Sequence, residues 1–168
     1  MNKNNIVLIG MPGVGKSTAG VVLAKILGYK FIDMDIVIQE EQGKLLKDII
    51  EDEGVDGFIA IENFANARMN PERSVISTGG SAIYGTSAME HYKEIGTVVY
   101  LKIGFDAINE RVNNLKGRGV VLKEGQTLKD IYEERTVLYE KYADVIIDET
   151  GLDVEKTIAA ILEKMGIS

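Results

Sequence analysis

The chain has 168 residues, 45% of them hydrophobic and 27% charged, which is typical of an ordinary globular protein with one core. A net charge of −7 argues against nucleic acid or an anionic membrane as a partner, because neither attracts an acidic surface. Cysteine is absent, which excludes disulfides and thiolate metal sites, and no apolar run reaches membrane-spanning length. We therefore expect one cytoplasmic domain over residues 1–168, and we expect it to be a monomer.

Short β-like runs alternate with helical patterns along the chain. The predicted strands are 6–9, 31–33, 74–77, 97–101 and 144–147. The predicted helices are 16–27, 35–42, 45–53, 58–69, 87–94, 105–115, 128–142 and 154–165. Strands separated by helices are typical of a parallel sheet covered on both faces, so the sequence predicts an α/β fold. Residues 116–126 are rich in glycine and charge, which is the composition of a mobile lid.

The stretch from Gly10 to Thr18, GMPGVGKST, lies between the first predicted strand and the first predicted helix. It fits G-x-x-x-x-G-K-[ST], a loop whose backbone N–H groups face the phosphates of a nucleotide. Lys16 can reach the β- and γ-phosphates, and the Ser17 hydroxyl can bind the accompanying Mg²⁺. The pattern predicts binding of a nucleoside triphosphate with Mg²⁺, through Gly13, Val14, Gly15, Lys16, Ser17 and Thr18.

Two carboxylates, Asp33 and Asp35, follow the second predicted strand. Ligands of open α/β sheets bind beyond the carboxyl ends of the strands, so we expect both side chains to face the phosphate loop. One can bind Mg²⁺ and its waters, while the other accepts a substrate hydroxyl or its proton. The alternative is a local role, since aspartate is also common at the N-terminal cap of a helix.

The chain resembles the shikimate kinases, small P-loop kinases that phosphorylate a ring hydroxyl with ATP. The resemblance rests on segments in the family's order: GMPGVGKSTAG, FIDMD, Gly54 with Phe58 and Glu62, VISTGG, VVYL, Arg111 and Arg118, Glu134-Arg135 with Leu138-Tyr139, and Ala143-Asp144. It implies a five-stranded parallel sheet in the order 2-3-1-4-5, an acceptor-binding helical segment at about 35–70 and a lid at about 116–126. It also implies that the γ-phosphoryl group of ATP is transferred to shikimate, giving shikimate 3-phosphate.

The resemblance implies roles on the nucleotide side of the site. Lys16 matches the phosphate-binding lysine, and Arg118 matches a lid arginine near the transferring phosphoryl group; both would be catalytic. Ser17 and Asp33 match the groups that hold Mg²⁺. Arg111 and Arg118 would contact ATP, with Arg111 packing on adenine. For Arg111, a solvated helix face is the alternative.

On the acceptor side, the resemblance implies contacts from Asp35, Gly79, Gly80, Ser81, Arg135 and Ile59. Asp35 would contact the substrate hydroxyl and act as the catalytic base. Arg135 would bind the acceptor's carboxylate, because a planar guanidinium holds a carboxylate through two hydrogen bonds. A solvated helix face is again the alternative for Arg135.

Three acceptor-side positions depart from the family's pattern. Ile59 replaces a second carboxylate-binding arginine, Val55 replaces an acidic residue, and Ser81 replaces a third glycine. Loss of one charge-assisted contact would cost about 1.5–3 kcal/mol of acceptor binding. A related kinase of another polyol, hydroxy acid or nucleotide therefore stays open, as does a nucleotide-dependent switch without an acceptor. Asn63 and Asn66 share the helical face of Ile59, where they would either present amides to a neutral acceptor or be ordinary exposed residues.

Overall fold

The computed structural model describes residues 3–114 and 121–168. Its centre is a parallel sheet of five strands, in the spatial order β2-β3-β1-β4-β5. The strands are β1 (Asn5–Ile9), β2 (Lys30–Asp33), β3 (Ser74–Ser77), β4 (Gly96–Lys102) and β5 (Val145–Asp148). The predicted α/β fold and the predicted strand order are confirmed.

Helices fill the connections between the strands. Within the described ranges they are α1 (Lys16–Leu27), α2 (Met34–Gln42), α3 (Leu46–Ala67), α4 (Thr86–Ile95), α5 (Phe105–Asn114), α6 (Leu128–Tyr142) and α7 (Val154–Lys164). A short 3₁₀ helix at Ala82–Tyr84, which the sequence did not predict, follows β3. None of the helices in these two ranges is long and apolar enough to cross a membrane.

The central strand, β1, from which the phosphate loop starts, is firmly anchored in the sheet. All five residues of β1 are buried, and the strand lies between β3 and β4. Burial of each large aliphatic side chain contributes roughly 1.5–3 kcal/mol, so the end of β1 is a rigid starting point for the phosphate loop. Close packing continues into α1, since a Cβ atom on Gly20 would lie only 2.8 Å from the ring of Phe31.

The region predicted as two helices, 45–53 and 58–69, contains two helical stretches that meet at a kink, and α3 denotes both together. Gly54 has φ 73° and ψ 174°, a backbone conformation that a residue with a side chain rarely adopts. The glycine lets the chain change direction between the two helical stretches. The prediction of two helices with a break between them is confirmed, with the break at Gly54.

The predicted lid at 116–126 is only partly described. Residues 116–120, which include Arg118, lie outside the described ranges. Val121 is buried, and the chain then leads to a capping box in which Thr127 and Asp130 bond each other's backbone N–H groups. This box fixes the start of α6, the helix that carries Arg135.

Candidate active site

The phosphate loop joins β1 to α1, as its sequence predicted. Lys16 is buried and its ammonium group donates to the carbonyl oxygens of Gly10, at 2.7 Å, and Met11, at 2.9 Å. Burial lowers the pKa of Lys16 to about 8, against the opposing effect of nearby Asp35. Gly10 must be glycine, because its φ is 150° and a Cβ atom there would lie 2.8 Å from the carbonyl oxygen of Leu101. The lysine is thus held as a cation at neutral pH within the loop.

Ser17 and Asp33, predicted to share a metal, lie in contact. The Ser17 hydroxyl donates to Asp33 Oδ2 at 3.1 Å and lies 3.1 Å from the Ser77 hydroxyl at the end of β3. The other oxygen of Asp33, Oδ1, accepts the backbone N–H of Asp35 at 3.0 Å and caps α2. The local capping role and the site-facing role therefore coexist in Asp33. Hydroxyl and carboxylate oxygens are ligands that suit Mg²⁺, so this pair fits the expected metal.

Two carboxyl groups face the backbone of Gly79. A Cβ atom on Gly79 would lie 2.8 Å from Asp35 Oδ1 and 2.6 Å from Glu62 Oε2. Burial raises the pKa of Asp35, the neighbouring Asp33 raises it further, and Lys16 opposes both. A raised pKa makes Asp35 a better proton acceptor near neutral pH. Any side chain on Gly79 would displace these groups.

Glu62, named only as a residue carrying the resemblance, is a functional candidate that the sequence reasoning missed. It is 1% exposed, and its Oε1 accepts the Ser81 hydroxyl at 2.5 Å. Burial raises its pKa to about 7, although the Ser81 hydrogen bond acts in the opposite direction. A signal was available: the buried residues Phe58, Glu62, Ala65 and Asn66 recur at helical spacing, and a lone acid among core positions of α3 is unusual.

Arg135 faces the adjacent glycine, Gly80. It is 1% exposed, so the solvated-face alternative for it is wrong. Its Nε donates to the Tyr84 hydroxyl at 3.3 Å and its Nη2 to the carbonyl of Val121 at 3.2 Å, while Nη1 would lie 3.0 Å from a Cβ atom on Gly80. Among the described residues, no carboxylate lies within 4 Å of this guanidinium. Arg135 is a buried cation suited to an anion from outside.

The glycine backbone between these groups is itself held in place. The Tyr139 hydroxyl donates to the carbonyl of Gly80 at 2.5 Å. The ring of Tyr139 stacks on that of Tyr100, with 5.0 Å between the ring centroids. Tyr139 is 1% exposed, so its ring belongs to the core. The backbone of Gly79 and Gly80 thus forms the fixed floor of the pocket, with carboxyl groups beside Gly79 and a guanidinium beside Gly80.

Arg111 lies on the nucleotide side, in a different contact from the one expected. Its Nη1 donates to the carbonyls of Gly13, at 3.3 Å, and Val14, at 3.2 Å, and so ties α5 to the phosphate loop. The same side chain lines a groove of about 530 Å³, together with residues that include Phe105, Glu149 and Gly151. Arg111 thus joins this groove to the phosphate loop. Its packing on adenine stays a prediction.

The other residues considered for the acceptor side, Ile59, Asn63 and Asn66, lie in different surroundings. Ile59 is half-buried on α3, three residues before Glu62 and therefore on a neighbouring part of the same helix surface. Asn63 accepts the backbone N–H of Ala88 at 3.0 Å and so helps to cap α4. Asn66 is fully buried, donates to the Glu62 carbonyl at 2.7 Å and accepts the Tyr92 hydroxyl. Neither interpretation fits Asn66, because both ends of its amide are used inside the fold. Asn63 is not an ordinary exposed residue, because its amide oxygen caps α4.

Comparison with known proteins agrees with this arrangement. The shikimate kinase family model matches residues 12–166. Shikimate kinase from Alteromonas mediterranea is 35% identical over 98% of this chain and 98% of its own length, and the enzyme from Persephonella marina is 33% identical over 96% and 98%. The structure of shikimate kinase from Acinetobacter baumannii in complex with shikimate has a TM-score of 0.88 and 32% identity, covering 96% of this chain and 92% of that one. The chain therefore belongs to the shikimate kinase family, and it is a small-molecule kinase that uses ATP.

Proposed function

We propose that this chain transfers the γ-phosphoryl group of ATP to the 3-hydroxyl of shikimate, as a cytoplasmic monomer, releasing ADP and shikimate 3-phosphate. One observation carries the proposal: the carboxyl groups of half-buried Asp35 and buried Glu62 lie beside Gly79, and the buried guanidinium of Arg135 lies beside Gly80. A small acceptor with hydroxyls at one end and a carboxylate at the other matches this polarity. A nucleotide switch would need neither group, so the arrangement favours a kinase over that alternative.

On the nucleotide side, Lys16 and the N–H groups of the loop from Gly13 to Thr18 would bind the phosphates of ATP. Ser17 and Asp33 would hold Mg²⁺, which neutralises phosphate charge when bound. The groove beside Arg111 would receive the adenine ring. Arg118, outside the described residues, would stabilise charge on the transferring phosphoryl group, as part of a lid at about 116–126.

On the acceptor side, the substrate oxygen would attack the γ-phosphorus while the bond to the β–γ bridging oxygen breaks and ADP leaves. The hydroxyl proton would pass to Asp35, whose raised pKa suits this role. The acceptor's carboxylate would bind Arg135, which lacks a carboxylate partner among the residues that the structure describes. Segment 35–70, through Asp35, Ile59 and Glu62, would form the wall of this pocket.

The test is ADP release with matched acceptors. Purified protein with ATP and Mg²⁺ is given shikimate, shikimate methyl ester or gluconate, and the product is identified by mass spectrometry. We expect turnover with shikimate and a strong loss with the ester, because the ester lacks the charge that Arg135 would bind. Faster turnover of gluconate than of shikimate would overturn the proposed acceptor, and ADP release that no acceptor accelerates would overturn the kinase mechanism.

A further inference from the structure

The hydrogen bond between Ser81 and Glu62 lies at the acceptor pocket, but the proposed phosphoryl transfer does not use it. Both side chains are buried, with 4% of Ser81 and 1% of Glu62 exposed. The Ser81 hydroxyl donates to Oε1 of Glu62 at 2.5 Å, and this leaves Oε2 as the oxygen that faces Gly79. One carboxyl oxygen is thus occupied by a fixed donor, and the other is directed towards the floor of the pocket.

Glu62 depends on this donor because no cation is paired with it. Within the described ranges, no lysine or arginine nitrogen lies within 4 Å of its carboxyl group. A cation at position 59 would be one helical turn away on the same surface, but that residue is Ile59. A buried carboxyl oxygen without a partner carries a desolvation cost, so the hydroxyl of Ser81 is what holds the orientation of Glu62.

We propose that Ser81 is a positioning residue for the acceptor: it fixes Glu62 so that Oε2 meets a substrate hydroxyl. It thereby supplies the donor to Glu62 that a cation at position 59 would otherwise provide, although it does not replace that cation's contact with the acceptor's carboxylate. The two departures from the family's pattern, Ile59 and Ser81, are then one coupled change. The hydroxyl restores the orientation that the missing cation would have provided, without adding a second positive charge to the pocket. This inference rests on the proposed function, since it concerns the binding of the same acceptor.

The coupling can be measured with a double-mutant cycle. Ser81→Ala in the otherwise native chain should raise the shikimate KM about 3- to 10-fold, the value of one hydrogen bond, and leave the ATP KM within about 2-fold. In an Ile59→Arg background, the same Ser81→Ala change should alter the shikimate KM by less than about 2-fold, because the guanidinium then orients Glu62. Ser87→Ala, which removes an exposed hydroxyl nearby on α4, is the matched control and should change neither constant.

A pH titration separates positioning from simple packing. The charged groups around Glu62 are Asp35 from α2, Arg135 from α6 and Lys16 from α1. The Ser81 hydrogen bond lowers the pKa of Glu62, so its removal should raise that pKa. The measurement is a ¹³C NMR titration of the labelled carboxyl group. A loss of packing alone would lower the melting temperature and leave this titration unchanged.

Three outcomes would overturn the inference: an unchanged shikimate KM in Ser81→Ala, an equal effect in both backgrounds, or an unchanged Glu62 titration. If the native chain does not phosphorylate shikimate at all, the proposed function fails separately. The NMR titration needs no acceptor, so in that case it still decides whether Ser81 controls the state of Glu62.

Discussion

Replacement of Arg135 by methionine should damage acceptor binding without damaging the fold. The guanidinium is 1% exposed and has two hydrogen bonds, at 3.2 and 3.3 Å, with Val121 and Tyr84. A methionine of similar length would fill most of the space and remove the charge. The sign of the stability change depends on whether those bonds outweigh the cost of burying the cation.

The magnitudes favour a neutral or stabilising change. Two hydrogen bonds at the long end of the normal range contribute about 1 kcal/mol each. Burial of a charged group without an ion-pair partner costs several kcal/mol, even after relaxation of its surroundings. We therefore expect Arg135→Met to keep or raise the melting temperature, by about 0–5 °C for a chain of this size.

The effect on binding should be much larger. Loss of a charge-assisted contact to the acceptor's carboxylate removes about 1.5–3 kcal/mol, which corresponds to a shikimate KM raised roughly 10- to 150-fold. The ATP KM should stay within about 2-fold of its native value, because Arg135 lies on the acceptor side. The assay is steady-state ADP release with each substrate varied, alongside thermal unfolding. Lys129→Met, which removes an exposed cation from the same helix, is the control.

Two results would refute this reasoning. A melting temperature lowered by 10 °C or more corresponds to a loss of roughly 3 kcal/mol in the free energy of unfolding at this size. It would mean that Arg135 mainly holds Val121 and Tyr84 in place. A shikimate KM unchanged in a folded Arg135→Met protein would mean that the acceptor's carboxylate binds elsewhere.

Three further predictions concern the carboxylates and the loop. Lys16→Ala should abolish turnover in a protein whose circular dichroism and melting profile are native, and ATP-dependent activity retained in that variant would contradict the phosphate-binding role. Asp35→Asn should lower kcat by about 100-fold or more with a native ATP Kd, because an amide cannot accept the proton; a lost ATP affinity with normal kcat would place Asp35 on the nucleotide side instead. Since Glu62 is protonated below its pKa of about 7 and ionised above it, the shikimate KM should rise as pH increases through 7, and Glu62→Gln should flatten that profile. A native slope in Glu62→Gln would assign the titration to another group.

The nucleotide half of the site was predictable because its signals are local in sequence. The loop from Gly10 to Thr18 needs particular residues at fixed spacing, since the backbone itself does the binding. The order of the five strands followed from the resemblance, and the bounds of several elements, such as Lys16–Leu27 and Leu128–Tyr142, agree with the prediction. Features that depend on the backbone require particular residues at short, fixed spacing, so one sequence is enough to identify them.

The acceptor half was less predictable because its contacts join distant parts of the chain. The hydrogen bond between Ser81 and Glu62 spans 19 residues and the one between Arg135 and Tyr84 spans 51. Asn63 and Asn66 show the difficulty: helical spacing gave their common face, but not that α4 and Tyr92 would use their amides. Periodicity predicts the face of a helix, and only the packed structure shows which partner occupies it.

The replacement of arginine by Ile59 is less damaging than the lost positive charge alone suggests, because the carboxyl group of Glu62 can lose its negative charge as well. With an arginine beside it, Glu62 would be ionised, and the two charges would cancel. With Ile59, Glu62 has a pKa raised to about 7 by burial and is held by a neutral hydroxyl, so at neutral pH the pocket loses much of the negative charge together with the positive one. Replacing a buried ion pair by uncharged groups is often neutral in energy, whereas removing one partner is costly. At pH 7, where the protonated and ionised forms of Glu62 are comparable, loss of the positive charge is therefore offset in part, and Arg135 remains the group that attracts an anionic acceptor.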